Sequence, residues 1–276
     1  MEWLPVNAGP FQMGSADTDE LAWDAEKPLH TQHIEQAYKI ARFPITNAQY
    51  WQFVDAGGYD NAVYWPQAGE YWQPKLGYKG RWDDDYRKAP AYAADELDRF
   101  GLDNQPVVRI SWHEAVAFTH WLTAFLRHEK LIGAHEGIRL PSESEWEKAC
   151  RGDSDARVTP WDGPPDPERS NYDASGINAT SAVGCFPNGI TGCEGEDMIG
   201  NVWEWTTTKW VDSYANYAEA EDNSIDASED SRVLRGGSWI DYHRFARCAY
   251  RSFDSPDSVL QDFGLRCVLS PSSLKR

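Results

Sequence analysis

The chain has 276 residues, 41% hydrophobic content and a formal net charge of −18. It can bury a substantial core within one domain spanning residues 1–276, and it is too acidic to wrap nucleic acid or to lie on an anionic membrane, where each phosphate contact calls for Lys or Arg. No apolar run is long enough to span a bilayer, and Met1-Glu2-Trp3-Leu4-Pro5 has neither the basic start nor the apolar middle of a secretory signal, so a cytoplasmic location is expected.

The 14 Trp and 13 Tyr suit a protein built from turns and loops that large aromatic side chains must pack. Residues 11–15 read as a short strand turning at Gly14, residues 17–26 as a solvated acidic loop, and residues 30–40 as a second strand. Thr46 and Gln49 stand at capping-box spacing before a short helix that carries Tyr50, Phe53 and Val54 on one face. Residues 57–104 show no sustained period and read as an ordered loop layer pinned by Trp65, Trp72 and Trp82. Residues 106–110 are a brief extended piece. Ser111 and Glu114 repeat the capping-box spacing ahead of Phe118, Trp121, Leu122, Phe125 and Leu126, the best helix in the sequence. Ser142 and Glu145 start a third helix, through Trp146 and Ala149 to Arg151 and Gly152. The acidic insert 214–230 reads as a surface loop. Five cysteines, Cys150, Cys185, Cys193, Cys248 and Cys267, form no CxxC pair and favour reduced, mostly buried thiols, with a Cys185 to Cys193 bridge as the minor alternative.

An ordered series of motifs runs through the chain: Met13-Gly14-Ser15, Pro44-Ile45-Thr46-Asn47, Val108-Arg109-Ile110-Ser111-Trp112, Arg139-Leu140-Pro141-Ser142-Glu143-Ser144-Glu145-Trp146-Glu147, Gly200-Asn201-Val202-Trp203-Glu204-Trp205, Arg235-Gly236-Gly237-Ser238-Trp239 and Gly264-Leu265-Arg266-Cys267. The series resembles the formylglycine-generating enzyme (sulfatase-modifying factor) family from end to end. The resemblance implies a compact α+β fold with a C-type-lectin-like core, low in regular secondary structure and stabilised by calcium. Function does not follow from fold, because sites are grafted onto it.

The family's oxidase chemistry uses two cysteines just after the Arg-Gly-Gly-Ser motif, where soft thiolates bind Cu(I). Here that segment, residues 239–246, holds no thiol, so no copper and no catalytic residue are expected. Cys248 and Cys267 sit in framework triplets and read as buried core thiols. A second branch of the superfamily takes iron-binding histidines from a separate helical domain, which these residues do not include. His113 and His120 lie two turns apart on one helix and read as surface or satisfied core residues rather than metal ligands.

For calcium, the resemblance places one site on the Asp197 and Glu204 side chains with the Gly200 and Val202 carbonyls, a donor set that fits a hard cation. A second site would draw on Asn171 with the Tyr172 and Ile177 carbonyls. Its usual acidic position falls on Ser175, with Asp173 nearby to compensate. Turns closed by hydrogen bonds without metal are the alternative for both.

One branch of the family, the variable proteins of diversity-generating retroelements, displays residues rewritten by adenine mutagenesis on a constant frame. The frame here would be residues 235–239, 247–251, Pro256 and 264–267. The displayed ligand-binding set would be Trp239, Ile240, Asp241, Tyr242, His243, Arg244, Phe245, Ser252, Phe253, Asp254, Ser255, Asp257, Val259, Leu260, Gln261, Asp262 and Phe263. Apart from the frame residue Trp239, all but Gln261 are accessible from a randomised asparagine codon. The mixture of aromatic, small polar and charged residues resembles a paratope. Arg247, Arg251 and Arg266 read as framework cations paired with buried carboxylates. The leading expectation is therefore a non-catalytic binder of an unknown protein or small-molecule ligand. A copper- or iron-dependent oxidoreductase acting on a thiol, and a module fused to or associated with signalling domains, are the alternatives.

Overall fold

Three reciprocal capping boxes set the helices. Thr46, Ser111 and Ser142 each accept a backbone N–H three residues on, while Gln49, Glu114 and Glu145 return the bond. The computed structural model describes residues 1–152, 157–161 and 163–271. Its α-helices are α1 (Asn47–Asp55), α2 (Leu97–Phe100), α3 (Trp112–His128), α4 (Glu143–Arg151) and α5 (Tyr217–Ala220). Its strands are β1 (Trp3–Val6), β2 (Gly9–Met13), β3 (His30–Ile34), β4 (Tyr38–Ala41), β5 (Trp72–Gln73), β6 (Gly77–Tyr78), β7 (Glu136–Arg139), β8 (Trp203–Lys209), β9 (Arg232–Arg235), β10 (Arg251–Asp254), β11 (Phe263–Leu265) and β12 (Val268–Pro271).

One antiparallel sheet runs β1-β4-β12-β7 and so joins the two ends of the chain. A second runs β10-β9-β8-β11, with β11 parallel to β8. Hairpins β2-β3 and β5-β6 flank them. Tryptophans tie the layers together: Trp112 Nε1 donates to the Thr206 carbonyl at 2.9 Å and Trp205 Nε1 to the Ile110 carbonyl at 3.2 Å. The fold is the α+β, loop-rich, C-type-lectin-like architecture that the motif series implied. Among the described residues no helix is long and apolar enough to cross a membrane.

Several local expectations are corrected. Residues 30–40 are two strands, because β3 pairs with β2 while β4 pairs with β1 and β12. A period of two cannot reveal a change of partner. Residues 106–110 make only a Thr46–Pro106 bridge, and the left-handed backbone of Arg109 (φ 61°) breaks their extension. Trp65 is buried, but Trp82 is 80% exposed and pins nothing. The acidic stretches are less solvated than their composition suggests. Glu26 is buried against Arg247, and the insert 214–230 buries Tyr214 and Tyr217 while Lys209 gathers Asp222, Asp226 and Asp230 at 3.2, 2.9 and 3.0 Å.

Candidate binding surface and its charged frame

The last third of the chain is locked to α4 by buried ion pairs. Glu143, the first residue of α4, takes a bidentate contact from Arg251 at 2.7 and 2.8 Å, a third from Arg235 at 3.2 Å, and the hydroxyls of Tyr214 and Tyr217. Burial opposes ionisation of Glu143, but Arg251 and Arg235 outweigh it and hold the carboxyl below its usual range. One turn on, Glu147 accepts from Arg235 at 2.6 Å and from Arg151 at 2.9 Å. Arg247 reaches Glu26 at 2.7 Å, and Arg266 holds Glu204, which also accepts from Trp146 Nε1 at 2.6 Å. Arg247, Arg251 and Arg266 thus each meet the buried carboxylate expected for them.

Gly236 and Gly237 let the chain leave this frame through two left-handed steps (φ 103° and 72°). A Cβ on Gly237 would stand 3.0 Å from the Phe245 carbonyl. Ser238 then gathers two acids: its N–H and Oγ reach Asp241 Oδ2 at 2.9 and 2.8 Å, and the same Oγ lies 2.8 Å from Asp262 Oδ2. One hydroxyl proton cannot serve both carboxylates. Burial pushes both acids up, Asp262 to about 6, with Asp241 adding like-charge repulsion on Asp262.

The predicted binding residues divide by exposure. Ile240, Tyr242, His243, Phe253 and Leu260 are exposed, Tyr242 most of all at 64%. Asp241, Arg244, Phe245, Ser252, Asp254, Ser255, Val259 and Gln261 are half-buried. Trp239, Asp257, Asp262 and Phe263 are buried and do not face a ligand. Trp239 packs on Phe100 under the Arg99 guanidinium, Phe263 packs on Trp205, and Asp257 accepts the Arg81 N–H at 3.0 Å. Their sequence position suggested display, whereas the short β11 and the Ser255–Asp257 turn fold them inward.

The exposed residues form separate patches. Tyr242 and His243 face Tyr172, Asp173, Pro164 and Pro165 across a groove of about 270 Å3. On another side, Phe245 and Tyr250 meet Trp23, with ring centroids 6.2 and 5.3 Å away, and Arg244 lies over the Trp23 ring at 5.3 Å. Phe253 stacks on Trp210 at 4.4 Å. Trp23 escaped the sequence reading. It sits inside an acidic run, and a lone tryptophan there was the available signal.

The sequence profile of the sulfatase-modifying factor enzyme 1-like domain matches residues 2–271. The chain belongs to this family. It is 32% identical to the formylglycine-generating enzyme of Mycobacterium tuberculosis over 327 aligned positions, covering 99% of each chain. It is 32% identical to the hercynine oxygenase of Mycolicibacterium thermoresistibile over 90% of this chain but 54% of that protein, so it spans about half the length of that relative. Among solved structures, Treponema denticola variable protein 1 superposes with a TM-score of 0.64 at 20% identity, covering 98% of this chain and 95% of the other, a likeness of fold.

Cys150 and Cys248 face each other in the core with sulfurs 3.0 Å apart, and Cys267 is equally buried. Burial pushes the Cys150 and Cys267 thiols up, away from the reactive thiolate. Cys185 is exposed, Cys193 is half-buried, and both are free thiols, so the alternative bridge is absent. His120 Nδ1 lies 2.9 Å from the Tyr64 carbonyl, while buried His113 stacks on Tyr71 and is lowered to about 4 by burial. Among the described residues no three His, Cys, Asp or Glu side chains converge as a metal centre.

The two candidate calcium sets differ in their fit to a cation. Asp197 and Glu204 are both buried, and Asp197 accepts from the Gly184 N–H at 2.8 Å. Three buried carboxylates, Glu196, Asp197 and Glu204, face two arginines, Arg42 and Arg266. Burial first, with Glu196 and Glu204 adding to it, pushes Asp197 up to about 6. Glu196 is held by Arg42 and Glu204 by Arg266 and Trp146, and the Gly200 carbonyl accepts the Val202 N–H, so the negative oxygen left for a hard cation is that of Asp197. The other set does not fit. Asn171 Oδ1 accepts from Ser175 Oγ at 2.8 Å, the Tyr172 carbonyl accepts from the Ser175 N–H at 2.8 Å, and Ile177 is exposed. The turn is closed by its own hydrogen bonds, and Ser175 supplies no charge.

Proposed function

We propose that this chain is a non-catalytic ligand-binding member of its family. The exposed Ile240, Tyr242 and His243, with Phe253 and Leu260, and the half-buried Asp241, Arg244 and Phe245 beside them would meet a protein or small-molecule ligand. The observation that carries this reading is the content of residues 239–246: no thiol stands there, and the two cysteines of the flanking frame, Cys248 and Cys267, are sealed in the core. Rigid aromatics on a frame braced by buried arginines suit recognition, because little side-chain entropy is lost on binding. The likeness in fold to Treponema denticola variable protein 1 supports retroelement diversification of this surface. A calcium ion held by Asp197, Glu204 and the Gly200 and Val202 carbonyls would be structural.

A second reading, a metal-dependent oxidoreductase acting on a thiol, is favoured by the 32% identity to a formylglycine-generating enzyme over the full chain. One experiment separates the two. Protein loaded with Cu(I) or Fe(II) and desalted is assayed for bound metal and for oxidation of a cysteine-containing peptide. Neither stoichiometric metal nor turnover is expected, and turnover lost in Cys248→Ser or Cys267→Ser would overturn the binding reading. Diversification is tested by sequencing the DNA downstream, where a near-identical repeat beside a reverse transcriptase gene is expected and its absence would remove that part.

A further inference from the structure

We infer that the cavity beside Arg151 is a binding site for a small oxyanion. It holds about 190 Å3 and is lined by Ser15, Thr18, Asp19, Arg151, Arg157 and Arg247, among others. That is room for a carboxylate, phosphate or sulfate group, and less than the roughly 300 Å3 at which drug-sized pockets begin. It is a different place from the groove of Tyr242 and His243, so it stands whether or not those bind a ligand.

The decisive group is Arg151, only 2% exposed. Its Nη2 donates to the Gly14 carbonyl and to Glu147 Oε1, both at 2.9 Å, but its Nε–H has no partner. Buried guanidinium donors are mostly satisfied, and of the Arg151, Arg232, Arg235 and Arg244 Nε–H groups that have no partner, only that of Arg151 belongs to a residue lining this cavity. The neighbouring carboxylate cannot supply the acceptor, since Glu147 Oε1 also accepts the Gly14 N–H at 2.8 Å and Oε2 is taken by Arg235. Ser15 Oγ is likewise committed, donating to Glu26 at 3.0 Å.

Charge points the same way. Four buried guanidiniums, Arg151, Arg235, Arg247 and Arg251, meet three buried carboxylates, Glu26, Glu143 and Glu147. The remaining acid, Asp19, is a quarter exposed and 3.6 Å from Arg247. Across these groups the charges balance, but the charged side chains that line the cavity itself are three arginines, Arg151, Arg157 and Arg247, against Asp19, and enclosing walls focus that field. Water would satisfy the Nε–H without offsetting the charge, whereas an oxyanion does both. Thr18, exposed at the cavity, marks the way in.

The test measures thermal unfolding of the whole chain with phosphate, sulfate or acetate at low millimolar concentration, against chloride at matched ionic strength. At tenfold excess over Kd, a rise of roughly 2–5 °C that continues to grow with the logarithm of anion concentration is expected. A rise with acetate alone identifies a carboxylate site and with phosphate or sulfate alone a tetrahedral one, and either supports the proposal. Thr18→Glu, a change at an exposed residue, supplies a tethered carboxylate and should abolish the response while the protein stays folded. Arg151→Lys keeps the charge but loses the Nε–H and should weaken it at least tenfold. No difference from chloride, or a Thr18→Glu response equal to wild type, overturns the site.

Discussion

Replacing Glu143 by Gln removes a charge without changing shape, and it tests whether the buried ion pairs hold the C-terminal frame. Wild-type Glu143 neutralises Arg251 through bonds of 2.7 and 2.8 Å and shares Arg235 with Glu147. In Glu143→Gln the amide carbonyl can still accept one Arg251 N–H, but the guanidinium loses its countercharge and the second carboxylate bond, keeping the Ala25 and Val211 carbonyls and the faces of Trp210, Tyr214 and Tyr217. Leaving a buried charge without its partner costs about 3–5 kcal/mol, far more than the pair contributes over an apolar replacement. For a chain of this size that is a fall in Tm of roughly 6–20 °C. Urea unfolding should show the midpoint fall with an unchanged slope. The pH dependence follows from the same pair. The folded pKa of Glu143 lies below the unfolded value of 4.5 because Arg251 and Arg235 outweigh burial, so its stabilisation is present above pH 4.5 and is lost as pH falls through the folded value. The gap between variant and wild type should therefore narrow in acid. A loss under about 1 kcal/mol at pH 7, or one that does not narrow in acid, would show that packing rather than charge secures the frame.

Asp262 titrates in the opposite sense: its folded pKa of about 6 exceeds the unfolded 3.8, so its favourable contribution is complete below pH 3.8 and disappears as pH rises through 6. Asp262→Asn should then be more stable than wild type at pH 7.5 by about 1–3 kcal/mol and no more stable at pH 3.5, as read by chemical denaturation at the two pH values. In native protein a thiol reagent should modify Cys185 quickly and Cys193 slowly, with Cys150, Cys248 and Cys267 reacting only after unfolding; rapid modification of all five would mean the core thiols are accessible. Calcium should raise the Tm of wild type but not of Glu204→Gln, measured against EDTA, and an equal rise in both would move the ion away from this site.

Much of the fold was legible because its signals are local. A capping box lies within four residues, and Thr46, Ser111 and Ser142 announced their helices with no help from the rest of the chain. The arginines of the last segment were legible too, because a guanidinium on a buried frame must have a carboxylate somewhere. Which carboxylate was not. Arg247 finds Glu26 from 221 residues away and Arg251 finds Glu143 from 108.

The candidate surface divides along the same line. Composition alone shows that residues 239–246 lack thiols and that the segment mixes aromatic and small polar residues. Sequence by itself therefore determined the family, the three helices and the missing oxidase cysteines, since each is written in contiguous residues. Only tertiary structure decided that Trp239, Asp257, Asp262 and Phe263 turn inward while Trp23 joins the surface from an acidic run. It alone also left the Arg151 Nε–H without an acceptor. Burial and pairing depend on what the rest of the chain brings alongside, and no window of neighbouring residues contains that information.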